Sequence, residues 1–204
     1  MSPVEFKLDA MLNSLDTQFQ RLAEATGALQ EGHFKLASGL HSRRFFRCIK
    51  LFQNPLEAQF LFDALADRYS PSADRKIDRV LGANEAGSIL AFEVAKRLAT
   101  EVAIARQTNH QYHLIDGFKI QPGERVLVVD DITTTGGTAK QLLEIIRGAG
   151  GVPVGVGLLA TKGLFEVELG CPVDVLIALK GMDAVSPEGC GLCQQGIPLT
   201  VGTA

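Results

Sequence analysis

The chain has no apolar run approaching the roughly eighteen residues that a membrane-spanning helix needs, although 46% of its 204 residues are hydrophobic. Its N-terminus, Met-Ser-Pro-Val-Glu-Phe-Lys, has neither the cationic stretch nor the apolar core of a secretory leader. The expected compartment is therefore the cytoplasm, with no membrane partner. A surplus of cations is also missing: 20 Lys and Arg stand against 23 Asp and Glu, a formal charge of −3. A general nucleic-acid binder is excluded on that ground, because broad displacement of phosphate counterions needs excess Lys and Arg. A small polyanion can still be held by a local cluster. Cysteine is scarce, with four residues and three of them in the last 34, which is no secreted disulfide framework. Cys190-Gly-Leu-Cys193 has the spacing of half a zinc site, which Cys48, Cys171 or a second chain would complete; the bland alternative is a plain turn in the tail. No internal repeat or low-complexity linker divides the chain. Its length suits one domain, residues 1–204, with a modest appendage.

Hydrophobic spacing supplies the elements. Leu8, Met11, Leu12, Leu15, Phe19, Leu22 and Leu29 recur at helical intervals and predict one or two amphipathic helices over residues 5–29. From His33 to Pro55 the pattern is strand-like and rich in turns. Asn54-Pro55 then opens a helix, with Asn as cap and Pro at its first position, whose apolar face is Leu56, Phe60, Leu61, Ala64 and Leu65. A strand over Lys76–Gly82 leads through residues 83–87 into a helix over 88–99, and another strand follows at 101–106. Residues 107–117 are polar and aperiodic, which predicts a mobile loop. Pro122-Gly123 turns into a strand at 125–130. Thr138 and Gln141 have capping-box spacing for a helix over 138–147 with Gly148 as terminator. Strands at Val152–Leu159 and Val173–Leu179 close the list, with a short helix expected between them. Strands that read as continuous apolar runs and alternate with helices indicate a parallel sheet covered on both faces, an α/β fold.

The chemistry concentrates in residues 126–138, Val-Leu-Val-Val-Asp-Asp-Ile-Thr-Thr-Thr-Gly-Gly-Thr. Four apolar residues deliver two adjacent carboxylates, Asp130 and Asp131, to the carboxyl end of a buried strand. The following turn, Thr133, Thr134, Thr135, Gly136, Gly137 and Thr138, offers hydroxyls and closely spaced backbone N–H groups suited to a phosphate monoester. The helix after it adds the positive end of its dipole. Paired carboxylates alone are common as magnesium ligands or solvated loop residues. It is their union with the Thr/Gly turn that is specific.

This order of parts resembles the PRPP-binding signature of type I phosphoribosyltransferases. The resemblance implies a parallel sheet flanked by helices with a small N-terminal hood: residues 1–54 and 181–204 as hood and tail around a 55–180 core. It also implies displacement of pyrophosphate from C1 of PRPP through a transition state with oxocarbenium character. Such a reaction asks for orientation, for Mg2+ to neutralise pyrophosphate, and for exclusion of water. Asp130 and Asp131 would hold the ribose hydroxyls, directly or through Mg2+, and Thr133 to Thr138 the 5-phosphate. Asn84, Glu85 and Ala86 would face pyrophosphate, unless residues 83–87 are an ordinary strand-to-helix turn. Residues 107–117 would close as a lid. Arg106, His110 and His113 are the groups near it able to meet a phosphate, although histidines on a polar loop are more often merely solvated.

A second stretch, His33-Phe-Lys-Leu-Ala-Ser-Gly-Leu-His-Ser-Arg-Arg-Phe-Phe46, resembles the hood of orotate phosphoribosyltransferases, and the tail Pro187–Leu199 resembles the ending of one branch of that family. By that resemblance the base, orotate, would lie near Phe45, Phe46 and Thr134, and the enzyme would be a homodimer. The residue-level alternative for Phe45-Phe46 is a core strand. An anionic base also needs a cation, which Arg43, Arg44, Arg47 or Lys162 would supply. The chain departs from the family pattern at Ala37 and Ala86, where lysines are common, in its weakly charged lid Gln107–His113, and at Lys162, where an arginine fork is expected. These departures keep two alternatives in view: transfer to another small base, and a PRPP- or nucleotide-sensing regulator without turnover.

Overall fold

A computed structural model describes residues 14–36, 38–70, 76–163 and 165–201. Leu8, Met11, Leu12 and Ala37 of the sequence reading lie outside the described residues. The chain divides into two compact units, one of residues 1–58 with 180–204 and one of residues 59–179.

The first unit contains α1 (Leu15–Ala25), β1 (Leu29–Lys35), β2 (His41–Phe46), a 3-10 turn (Cys48–Gln53), β9 (Ala184–Val185), a second 3-10 turn (Pro187–Gly189), the short α5 (Gly191–Gln194) and β10 (Thr200–Val201). Ser14 caps α1, its Oγ accepting from the Thr17 N–H. The helix buries Phe19, Leu22 and Ala23. It ends at Ala25, so Leu29, read above as helical, opens β1 instead. The four strands form a sheet in the order β10-β1-β2-β9. Phe46 is buried with its ring 5.9 Å from that of Phe19, and Phe45 stacks on Phe34 at 5.5 Å.

Helix α2 (Pro55–Asp67) starts where the Asn-Pro pair predicts, with the Asn54 carbonyl accepting from the Ala58 N–H. Its buried face differs from the expected one. Ala58, Leu61, Phe62, Leu65 and Ala66 are buried at i, i+3, i+4, i+7 and i+8, while Leu56 is 87% exposed.

The second unit holds β3 (Arg79–Ala83), α3 (Asn84–Leu98), β4 (Glu101–Thr108), β5 (Gln111–Leu114), β6 (Arg125–Thr133), α4 (Gly137–Gly148), β7 (Val152–Lys162) and β8 (Val173–Leu179). Its sheet runs β5-β4-β3-β6-β7-β8, and only β5 is antiparallel to its neighbour. The continuous apolar strands are explained by burial on both faces: Leu81, Val126, Val128, Val156 and Leu158 share one core cluster with Leu142, Leu143 and Ile146, and Val80, Leu127, Val129 and Leu159, of the opposite alternation, are also buried. Arg79 secures the amino edge of the sheet, donating to Glu124 at 2.8 Å and Glu101 at 2.5 Å.

Four expectations are corrected here. Residues 107–114 form the outer part of a β-hairpin, turned by Asn109 and His110, both at positive φ. A non-glycine pair of this kind carries no strong turn signal. Thr138 does not cap α4; Gly136 does, with no side-chain bond, because the Thr138 and Gln141 side chains are engaged by Tyr112. Gly148 lies inside α4, and the reversal comes at Gly150, with the Gly151 N–H reaching back to the Ile146 carbonyl. Among the described residues of 163–172 there is no helix.

Candidate active site

The sheet order reverses between β3 and β6. β3 leads through α3 to β4 on one side, while β6 leads through α4 to β7 on the other. In an open parallel sheet such a switch leaves a crevice at the carboxyl ends of the two central strands. There β3 ends in Gly82-Ala83, with Asn84 opening α3, and β6 ends in Asp130-Asp131-Ile132-Thr133.

β6 extends further than its apolar run. Asp130 pairs with Leu158 and Thr133 with Thr161 in the ladder to β7, so the acidic pair is held by strand hydrogen bonding rather than by a loop. Alternation along the strand turns the two carboxylates to opposite faces. Asp130 is 6% exposed, its Oδ1 accepting from the Asp131 N–H at 3.1 Å, and Asp131 is half-buried. Burial, and then the adjacent negative charge of Asp131, hold the Asp130 carboxyl well above the usual carboxylate range. A buried carboxylate beside a second one favours a cationic partner over water.

The turn after the strand gathers hydroxyls and backbone N–H groups, donors of the kind an anion takes. Thr133 is buried and its hydroxyl accepts from the Gly136 N–H at 2.9 Å, which closes the turn. Gly136 has φ +71, and a Cβ there would lie 3.1 Å from the Phe165 ring, so both conformation and space select glycine. Thr134, Thr135 and Gly137 are exposed, and Thr138 is half-buried. The first N–H groups of α4 precede its first internal hydrogen bond, Lys140 N–H to the Gly136 carbonyl, and point toward this turn.

From β3 the chain passes into α3 without an intervening loop, so residues 83–87 are strand end and first helical turn rather than the loop anticipated. Gly82 permits this close crossing. A Cβ there would collide with the Gly87 carbonyl oxygen and lie 2.7 Å from Ala91 Cβ. Gly87 is in turn the residue of α3 facing Asp130; a Cβ on it would be 3.5 Å from Asp130 Oδ1. Asn84, Glu85 and Ala86 stand at the opening, with Asn84 at φ +54.

Sequence reasoning missed Tyr112. Its ring is buried at the inner face of β5, and its hydroxyl is 2.9 Å from Asn84 Nδ2, which donates to it, and 3.3 Å from Thr138 Oγ1. The Gln141 side chain accepts from its backbone N–H at 3.2 Å. One residue thus ties the hairpin to both the start of α3 and the Thr/Gly turn. The available signal was a lone aromatic in a polar segment. Arg106, His110 and His113 are exposed on the same hairpin. Lys162 ends β7, one residue past the Thr133–Thr161 pair, and so stands beside the turn.

Of the hood residues, Phe46 is buried and packs on Phe19, as the core-strand alternative for it expects. Phe45 is half-buried against Phe34. Arg44 is paired with Glu31 at 2.6 Å, and Arg43 and Arg47 are exposed.

Comparison with known proteins identifies this arrangement. A phosphoribosyl transferase domain matches residues 50–168. Orotate phosphoribosyltransferase of Pelotomaculum thermopropionicum is 38% identical over 175 residues, 86% of this chain and 90% of that protein. The chain belongs to the orotate phosphoribosyltransferase family. The enzyme of that name from Thermotoga maritima is 36% identical over 88% of this chain and 94% of its own. The crystal structure of orotate phosphoribosyltransferase from Aeropyrum pernix, 23% identical, shares the fold with a TM-score of 0.66, covering 86% of this chain and 97% of that one. No helix among the described residues of this phosphoribosyltransferase is long and apolar enough to cross a membrane.

Proposed function

We propose that the chain transfers the phosphoribosyl group of PRPP to orotate, forming orotidine 5'-monophosphate and releasing pyrophosphate. The observation that carries this reading is the end-to-end placement of Asp130-Asp131 and the Thr133–Thr138 turn at the switch point of the sheet, in a chain of this family. A ribose 5-phosphate seated there has its phosphate on the hydroxyls and N–H groups of Thr134, Thr135, Gly137 and Thr138. Its hydroxyls then lie toward the carboxylates. As the bond from C1 to pyrophosphate breaks, positive charge develops on the ring, and the acidic pair, drawn into its charged form by that cation, stabilises it in a poorly solvated crevice. The base nitrogen forms the new bond to C1, and pyrophosphate leaves with the bonding pair.

Asp130 and Asp131 offer the hard oxygen donors that Mg2+ takes, directly or through water. When bound, the ion neutralises the leaving pyrophosphate. Asn84 and the amino end of α3 face the leaving group, with Tyr112 holding Asn84 in place. Lys162 is the cation for the orotate carboxylate, a point charge where the family more often uses an arginine fork. A homodimer belongs to the same reading. It is supported by Ile89 and Phe92, one turn apart on α3 and 40% and 57% exposed, an apolar pair of the kind interfaces cover.

The test is loss of orotate absorbance on adding PRPP and Mg2+, with pyrophosphate release followed in parallel wells containing orotate, uracil, hypoxanthine or adenine. Orotate consumption matched by pyrophosphate is expected. Release only with another base, or none with any base, would overturn the assignment.

A further inference from the structure

Four side chains remote from one another in sequence meet in the smaller unit: His33 on β1, His41 on β2, and Cys190 and Cys193 at the ends of the first turn of α5. One ligand atom from each lies within 4.8 Å of all the others. His33 Nε2 is 3.2 Å from His41 Nδ1, 3.4 Å from Cys190 Sγ and 3.6 Å from Cys193 Sγ, and Cys193 Sγ is 3.3 Å from His41 Nδ1. A tetrahedral zinc with bonds of about 2.0–2.1 Å to nitrogen and about 2.3 Å to sulfur sets its ligands about 3.3–3.4 Å apart for N···N and about 3.6 Å for N···S. The observed separations fall close to those values.

Hydrogen bonding alone does not account for the cluster. His33 Nδ1 lies 2.8 Å from the Ile197 carbonyl oxygen, which only accepts, so Nδ1 carries the proton and Nε2 of the neutral ring presents its lone pair. That single lone pair faces one nitrogen and two sulfurs at once. A cation at their centre satisfies all four groups. The Ile197 carbonyl is then the outer partner that fixes the tautomer and aim of a metal-bound histidine. The strand is also bent to deliver its ligand: the β1–β2 register shifts between Glu31 and Phe34, and His33 and Phe34 are buried in succession where a regular strand would alternate. His33, His41 and Cys190 are each no more than 5% exposed.

We propose that His33, His41, Cys190 and Cys193 form a Cys2His2 zinc site that clasps the tail turn to the β1–β2 hairpin. Two thiolates and two imidazoles in tetrahedral array select Zn2+ over hard cations. Four protein ligands leave no position for water or substrate, so the role is structural. The site goes beyond the transferase reading and does not depend on it. Neither Cys48 nor Cys171, the partners suggested by composition, belongs to the cluster.

Elemental analysis of the full chain, purified without added metal or chelator, is expected to give close to one zinc per chain, falling at least tenfold in both His41→Asn and Cys193→Ser. Because those variants can misfold, the unmodified chain is also stripped with chelator under reducing conditions and titrated with Co2+. Intense visible bands of tetrahedral Co2+, with a thiolate charge-transfer band saturating at one equivalent, are expected. An unmodified chain without zinc and without a tetrahedral Co2+ spectrum would overturn the site. So would a Cys190–Cys193 disulfide in freshly lysed protein, or full zinc retention in both folded variants.

Discussion

Replacing Asp130 with asparagine should stabilise this protein while stopping its reaction. The side chain is 6% exposed and adjoins a second carboxylate, and both circumstances disfavour its charge. Because its folded pKa lies above the unfolded value, Asp130 contributes most to stability below the unfolded pKa, where it is protonated. That contribution is lost as pH rises through the folded pKa. Asparagine has nearly the same shape and keeps the oxygen that accepts from the Asp131 N–H. It removes the charge but adds an N–H pair that needs an acceptor. Setting the cost of a buried charge against that of an imperfectly met amide leaves a net gain of about 1–3 kcal/mol at neutral pH. For a chain of this length the gain corresponds to a Tm rise of roughly 3–10 °C. Thermal unfolding of both proteins from about pH 4 to about pH 8 should show the gap open above the ordinary carboxylate pKa and level off beyond the raised one. Turnover should fall by about 10²-fold or more. A variant less stable than wild type at neutral pH, or a gap that does not change with pH, would refute the account of Asp130. Retained turnover would remove it from the reaction.

Other substitutions separate binding from packing. Tyr112→Phe deletes the hydroxyl joining Asn84 and Thr138 and should lower kcat/KM about fivefold, for about 1 kcal/mol, with little change in Tm; unchanged kinetics would make Tyr112 a packing residue only. Thr138→Val should raise the KM for PRPP and leave stability within about 0.5 kcal/mol, since no cap is lost; a larger fall in Tm would restore the capping role. Gly82→Ala should destabilise by about 1–3 kcal/mol by forcing α3 off β3, and denaturant unfolding with an unchanged midpoint would contradict the close crossing. Phe46→Ala should cost about 3–5 kcal/mol as a core deletion, whereas a KM effect on orotate at full stability would return it to the base site.

The site was legible where a local run of residues carries both structure and chemistry. Asp130 and Asp131 follow four apolar residues of one strand, and the Thr/Gly turn follows them directly, so neighbouring positions suffice to read the strand, its acidic end and the turn of the proposed site. Strands β3, β6 and β7 were legible for a related reason: burial on both faces leaves a nearly uninterrupted apolar run. The hairpin around Asn109-His110 was not, because its turn residues carry no glycine and its polar strands face solvent. Capping-box spacing at Thr138 was a true pattern, but both side chains were taken by Tyr112, more than twenty-five residues earlier.

By itself, then, the sequence determined the parallel α/β class and the run from strand through acidic pair into the Thr/Gly turn, all set by interactions within a few residues. Tertiary structure alone decided which strands meet at the switch point, which of two adjacent phenylalanines enters the core, and that Tyr112 joins both sides of the crevice. It also decided that a CxxC in the tail finds two histidines some 150 residues away. The physical reason is the same throughout: hydrogen-bond and ligand partners are chosen by distance in space, and long-range packing sets that distance.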